Sequence, residues 1–175
     1  MTNKTKAVFL DRDGTLIRDK NYLSRVEDIE YFIDTFQALR MMAQKGYRLY
    51  VITNQSGVGR GFFPLENVAA IHEAMNDDLR EHKIPHFAGF GVCPHAPDQN
   101  CSCRKPSPEL ILKFLERDHL DPAQCYMVGD KTIDAEAGLA AGVKGVIVHN
   151  KAMALGKHPF HSSLFAFAVT LPSEK

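Results

Sequence analysis

Ala7-Val8-Phe9-Leu10-Asp11-Arg12-Asp13-Gly14-Thr15 is a short apolar run that stops at a carboxylate, meets a second carboxylate two residues on, and then a glycine. Four consecutive apolar residues bounded by a turn signal read as a strand buried on both faces of a parallel sheet. In an extended segment residues i and i+2 point to the same side, so Asp11 and Asp13 share a direction. Two carboxylates so placed repel unless a cation lies between them or one carries a proton. Either condition is chemically useful. A carboxylate can attack phosphorus, and a neighbouring carboxylic acid can protonate a leaving oxygen and later activate water. Gly14 lets the chain turn away and offers backbone N–H groups to an anion. A plain strand end followed by an Asp-Gly turn is the alternative when this segment is taken by itself.

Working outward, short apolar runs alternate with helical patterns, which predicts βαβ units and a parallel sheet. A helix is expected from Asp34 as N-cap, with Phe36, Leu39 and Ala43 inward and Gly46 beyond its end. A strand over residues 47–52 ends at Thr53. A helix after Pro64 carries Val68, Ile71, Met75 and Leu79 at helical spacing, and a strand follows near 87–92. Residues 93–106 read as a loop, and Ser107-Pro108-Glu109 opens a helix with Leu110, Ile111, Phe114 and Leu115 inward. Strands near 125–128 and 145–148 flank a helix near 133–141, and a last short strand is expected around 167–169. The predicted fold class is α/β: a doubly wound, mainly parallel sheet with helices on both faces, in a single domain over 1–175. There is no insertion large enough for a separate cap domain.

The 175 residues are 45% apolar and 24% charged, with 21 basic and 21 acidic side chains. That balance argues against disorder and against a nucleic-acid partner, which asks for a basic excess. The first apolar run is too short for a signal-peptide core, and no stretch approaches a membrane span, so the expected compartment is the cytoplasm. Disulfides are rare there, and Cys93, Cys101, Cys103 and Cys125 need another reading. Three of them cluster with His95. Cys93, His95, Cys101 and Cys103 make a Cys₃His set, suited to a structural zinc ion that would order a loop with few apolar residues. Cys125 reads as a small buried hydrophobe. His72, His82 and His86 read as surface or helix-end residues.

Asp11, Thr53 and Asp130 each follow an expected strand. Ligands of open α/β sheets bind at that edge, outside the carboxyl ends of the strands. Here the sequence resembles a known family. The run 9–15 is similar to the first motif of the haloacid dehalogenase-like phosphatases, Ile52-Thr53-Asn54 to the second, Arg104-Lys105-Pro106 to the third, and Gly129-Asp130-Lys131 with Asp134 to the fourth. The resemblance implies that Asp11 is the nucleophile and Asp13 the general acid and base. It implies that Thr53 and Lys105 hold the phosphoryl oxygens, and that Mg²⁺ binds Asp11, the Asp13 carbonyl and Asp130. Asp134 is either a group behind the metal ligands or an acid in a helix's first turn.

The cysteine loop running into Arg104-Lys105-Pro106 resembles that of the D-glycero-D-manno-heptose 1,7-bisphosphate phosphatases and of the histidinol-phosphate phosphatases. The loop's expected work is to pose Arg104 and Lys105 over the phosphate site. Arg60 in the segment 53–61 is closer to the heptose branch, and Asp19 to Tyr22 falls at that branch's recognition segment. The resemblance places Asp19, Tyr22, Asn54, Gln55, Ser56, Arg60, Arg104 and Lys131 as substrate-binding. For a second anion, Arg60, Arg104 and Lys20 are the cationic choices; for histidinol phosphate, Asp98 or Asp19 could meet the ammonium group. The expected partner is a small phosphorylated molecule, with a monomer as the default. A receiver-like module that keeps its phosphoryl group, and a zinc-stabilised binding domain with an idle site, remain as other classes. A nucleotide kinase is disfavoured because no G-x-x-x-x-G-K-[ST] loop is present.

Overall fold

A computed structural model describes residues 5–173. Its centre is one six-stranded sheet of β1 (Ala7–Leu10), β2 (Arg48–Asn54), β3 (Gly89–Cys93), β4 (Tyr126–Gly129), β5 (Lys144–Val148) and β6 (Phe160–His161). The spatial order is β3-β2-β1-β4-β5-β6, and every neighbouring pair is parallel. The chain therefore runs outward from β1 to β3, returns to β4 beside β1, and runs outward the other way. Strand order reverses between β1 and β4, and a crevice at such a reversal is where ligands of this fold class bind.

The helices are α1 (Thr35–Gln44), the single turn α2 (Ser56–Gly59), α3 (Leu65–Glu81), α4 (Glu109–Arg117), α5 (Thr132–Ala140) and α6 (Leu164–Thr170). Strand alternation decides which face each side chain joins. Val8 and Leu10 pack with Leu39, Ile71, Met75 and Phe167 from α1, α3 and α6. Ala7 and Phe9 pack on the other face with Ile111 and Phe114 of α4 and Ala137 of α5. Helices cover both faces, as the alternating pattern predicts.

Two expectations are corrected. Residues 167–169 form no strand; they lie in α6. Leu164, Phe167, Ala168 and Leu171 are buried at helical spacing, and the Ser163 hydroxyl accepts a hydrogen bond from the Ala166 N–H, capping the helix. The sheet's last strand is instead β6. Asp34 does occupy the N-cap position of α1, but its side chain does not cap that helix. Its Oδ2 accepts the N–H of Phe165 at 2.8 Å, so the carboxylate serves the start of α6. Elsewhere element ends shift by a residue or two. Among the described residues no helix is long and apolar enough to cross a membrane.

Candidate active site

The C-terminal ends of β1, β2 and β4 meet at the crevice. The Asp11 N–H donates to the Val128 carbonyl at 2.9 Å, tying the end of β1 to β4. Asp11 is buried, and its Oδ1 accepts a hydrogen bond from Lys105 Nζ at 2.6 Å. The same ammonium lies 2.7 Å from Asp134 Oδ1 and donates to the Ile52 carbonyl at 2.8 Å. Burial pushes the Asp11 carboxyl up to about 8; Lys105 pulls against that, while Asp134 and Asp13 reinforce it. Burial also works against the Lys105 ammonium, but Asp11 and Asp134 outweigh it and hold it above the ordinary lysine range.

Asp130 follows β4, and burial raises its carboxyl to about 6, with Lys131 opposing. Its Oδ1 is buried without a hydrogen-bond partner. Asp134 sits in the first turn of α5. Its Oδ2 accepts the Lys131 N–H at 3.0 Å in a capping box, as the first-turn reading expects, and its Oδ1 lies against Lys105. Asp11, Asp130 and Asp134 bring carboxylate oxygens within 4.8 Å of one another. Gly14 is required beside them: its φ is +86°, and a Cβ there would collide with the Asp130 carboxylate. An all-oxygen set with one orphaned buried oxygen fits a hard divalent cation such as Mg²⁺.

Asp13 faces the same cavity, which encloses about 300 Å³ and is also lined by Asp11, Asp19, Tyr22, Asn54, Gln55, Ser56, Arg104, Lys105, Lys131 and Asp134. Gln55 Nε2 donates to Asp13 Oδ2 at 2.8 Å and to Thr53 Oγ1 at 2.7 Å, so Thr53 sits behind Gln55 and outside the cavity lining. Asn54 grips the backbone of Lys105: its Oδ1 accepts the Lys105 N–H at 3.0 Å, and its Nδ2 donates to the Lys105 carbonyl at 3.3 Å. Asn54 thus holds the backbone of Lys105, and Gln55 the Asp13 carboxylate. Lys131 Nζ meets Asp19 Oδ2 at 3.3 Å across the cavity mouth. Arg60 and Asp98 are exposed, and neither lines this cavity. Lys20 does not line it either; it pairs with Glu30 at 3.0 Å.

The cysteine loop folds onto this edge. Cys93 Sγ lies 3.5 Å from Cys101 Sγ and 3.7 Å from His95 Nδ1, and Cys103 Sγ lies 3.4 Å from His95 Nδ1. All four donor atoms fall within 4.8 Å of one another. Bonds of about 2.3 Å in a tetrahedron separate sulfurs by roughly 3.8 Å, so the set fits zinc. The loop is joined to the second motif by Gly59 N–H to Pro94 O at 2.8 Å and Gln55 N–H to Cys93 O at 2.7 Å. Arg104 donates back to the His95 carbonyl at 3.2 Å. Cys125 is buried and unpaired by any disulfide.

Residues 102–158 match a HAD-hydrolase-like family model. Over 142 residues the chain is 41% identical to the D-glycero-β-D-manno-heptose-1,7-bisphosphate 7-phosphatase of Helicobacter pylori, covering 81% of this chain and 82% of that protein. The enzyme of the same name from Escherichia coli K12 is 37% identical over 150 residues, 82% of this chain and 78% of that protein. The chain belongs to the heptose-bisphosphate phosphatase family of haloacid dehalogenase-like enzymes. The solved structure of the D,D-heptose 1,7-bisphosphate phosphatase from B. bronchiseptica, complexed with magnesium and phosphate, superposes with a TM-score of 0.88 at 28% identity, covering 95% of this chain and 98% of that one.

In this haloacid dehalogenase-like phosphatase two side chains at the site escape sequence reasoning. Arg12 is fully buried, and its guanidinium forks onto Asp13. His72 is no surface residue: it is buried beside Arg12 and stacked on Phe90 at 4.2 Å between ring centroids. A signal existed for both. Arg12 shares strand parity with Val8 and Leu10, and His72 shares a helical face with Val68, Met75 and Leu79. His82 and His86 do lie at exposed positions near the end of α3.

Proposed function

We propose that this phosphatase removes the 7-phosphate of D-glycero-D-manno-heptose 1,7-bisphosphate through a phosphoryl group carried on Asp11. The observation that carries the reading is the meeting of Asp11, Asp13 and Lys105 in one cavity at the strand-order reversal, beside a carboxylate cluster suited to a divalent cation. An Asp11 oxygen attacks phosphorus, the bond from phosphorus to the sugar oxygen breaks, and the Asp13 carboxyl gives its proton to the departing alkoxide. Water then attacks the same phosphorus and passes a proton to the Asp13 carboxylate. The bond to Asp11 breaks, and its electron pair returns to the carboxylate. Lys105 holds the phosphoryl oxygens, and Thr53, hydrogen-bonded to Gln55, stands behind that residue. Asp11, Asp130 and the Asp13 carbonyl would hold magnesium, which would supply positive charge against the repulsion between a phosphate dianion and a carboxylate. Cys93, His95, Cys101 and Cys103 would hold zinc, which would order the loop that carries Arg104 and Lys105. Reduced thiols there suit the cytoplasm.

A bisphosphate asks for a second cationic site. Arg104 and Lys131 line the cavity and supply it, whereas Arg60 and Lys20 do not line it. Histidinol phosphate would present an ammonium group instead; the relatives at 41% and 37% identity, both named as heptose-bisphosphate 7-phosphatases, favour the bisphosphate. Phosphate release measured on heptose 1,7-bisphosphate and histidinol phosphate side by side, with Mg²⁺ and with EDTA, tests the reading. Faster metal-dependent release from the heptose is expected; preference for histidinol phosphate would replace this substrate, and EDTA-insensitive turnover would contradict the metal assignment.

A further inference from the structure

Arg12 lies between the two aspartates of the first motif, yet it takes no place in the steps described so far. Strand parity turns it away from Asp11 and into the layer covered by α3. There its Nε donates to Asp13 Oδ2 at 3.0 Å and one terminal nitrogen to Asp13 Oδ1 at 3.2 Å, a two-pronged grip on one carboxylate. The other terminal nitrogen lies 3.5 Å from His72 Nε2. A guanidinium has donors and no acceptor, so this imidazole nitrogen must be the acceptor and the ring proton must sit on Nδ1. Burial first, and the Arg12 charge second, push the His72 pKa down to about 3, which keeps the ring neutral and able to accept. Phe90, partly buried beside the core, fixes the ring plane by stacking at 13°.

Fully burying an arginine costs several kcal/mol of desolvation, and an apolar residue of similar volume often serves stability as well. The placement is therefore better explained by what the fork does to Asp13. A carboxylate free to swing would meet the leaving oxygen in a small fraction of its orientations, and misplacement of about 1 Å can cost on the order of a hundredfold in rate. Resting on the assignment of Asp13 as acid and base, we propose that Arg12 and His72 are positioning residues. Phe90 and His72 fix the guanidinium, and the guanidinium, with Gln55, fixes the Asp13 carboxyl against the leaving oxygen and later against the attacking water. His72 reaches the chemistry only through Arg12.

The leaving group separates this role from a structural one. Nitrophenolate departs without a proton, whereas a sugar alkoxide needs one from Asp13. Two variants are compared with the wild type, His72→Leu, which keeps an apolar filling, and Arg12→Lys, which keeps the charge and loses the fork. Steady-state turnover of a sugar phosphate is measured beside single-turnover release of nitrophenol from p-nitrophenyl phosphate with enzyme in excess. Both variants are expected to lose roughly tenfold or more in kcat on the sugar phosphate with KM within about twofold, while single-turnover nitrophenol release stays within about threefold of wild type. Unchanged sugar-phosphate turnover in either variant would overturn the proposal, as would equal losses with both leaving groups or a variant that does not fold. Undiminished sugar-phosphate turnover in Asp13→Asn would instead remove the acid and base reading beneath it.

Discussion

Lys105 Nζ lies 2.7 Å from Asp134 Oδ1, and both side chains are almost wholly buried. The same ammonium is 2.6 Å from Asp11 Oδ1, so one cation joins the start of α5 to the end of β1. Removing one member of a buried ion pair leaves an uncompensated charge and costs about 3–5 kcal/mol. Lys105→Met is expected to lower the unfolding free energy in urea by that order. It should also reduce kcat by about 100-fold to 1,000-fold, the usual loss for a group that stabilises charge in a transition state. Retained turnover would remove Lys105 from the site.

Lys45 makes a contrasting prediction, because it lies far from the chemistry. Its Nζ donates to the carbonyls of Ala168, Val169 and Leu171 at 2.9, 2.8 and 2.6 Å. These carbonyls lie at the end of α6, where a cation is favoured. Lys45→Met is expected to cost about 1–3 kcal/mol and to leave kcat and KM unchanged. A matched thermal-melting and kinetic comparison checks both halves.

Acid lability follows from His72. Its folded pKa is pushed below the ordinary value of 6.5 to about 3, by burial and then by Arg12, the charged group in contact with it. The folded state thus excludes a proton that the unfolded chain accepts. Its contribution to stability is whole above pH 6.5 and is lost as pH falls toward 3. At pH 5 the loss is about 2 kcal/mol. The melting temperature of the wild type should therefore drop more between pH 7.5 and pH 5 than that of His72→Leu. Equal drops would mean that His72 does not titrate as its burial requires.

The zinc loop gives a prediction with two readouts. Cys93, Cys101, Cys103 and His95 bring their donor atoms within 4.8 Å of one another. Metal analysis of the wild type is expected to find one zinc per chain, and Cys101→Ser to lower that content. Because Lys105 follows Cys103 by two residues, kcat should fall with the zinc, while the sheet, measured by circular dichroism, persists. Zinc-free wild type with full activity would contradict the loop's role.

The path from sequence to site was direct for some residues and closed for others. Asp11, Thr53 and Asp130 stand in short motifs at the ends of β1, β2 and β4, which meet at the crevice, and Lys105 stands in a fourth motif in the loop after β3. The four zinc-loop residues were legible because thiols cluster within a few positions. Arg12 was less so: strand parity pointed it inward, but charged side chains are ordinarily solvated and its neighbour His72 is 60 residues away. The segment 167–169 misled because Phe167 and Val169 read as a strand by residue type, while the spacing of Leu164, Phe167, Ala168 and Leu171 is helical. The capping of α6 by Asp34 joins residues 131 apart and has no local signature.

In the proposed reaction Asp11 carries the phosphoryl group. Rapid acid quench of the enzyme turning over ³²P-labelled substrate, followed by peptide mapping, tests it most directly. The expected result is a hydroxylamine-labile label on the peptide that contains Asp11, absent from Asp11→Asn. Label on another residue, or undiminished label in Asp11→Asn, would contradict it.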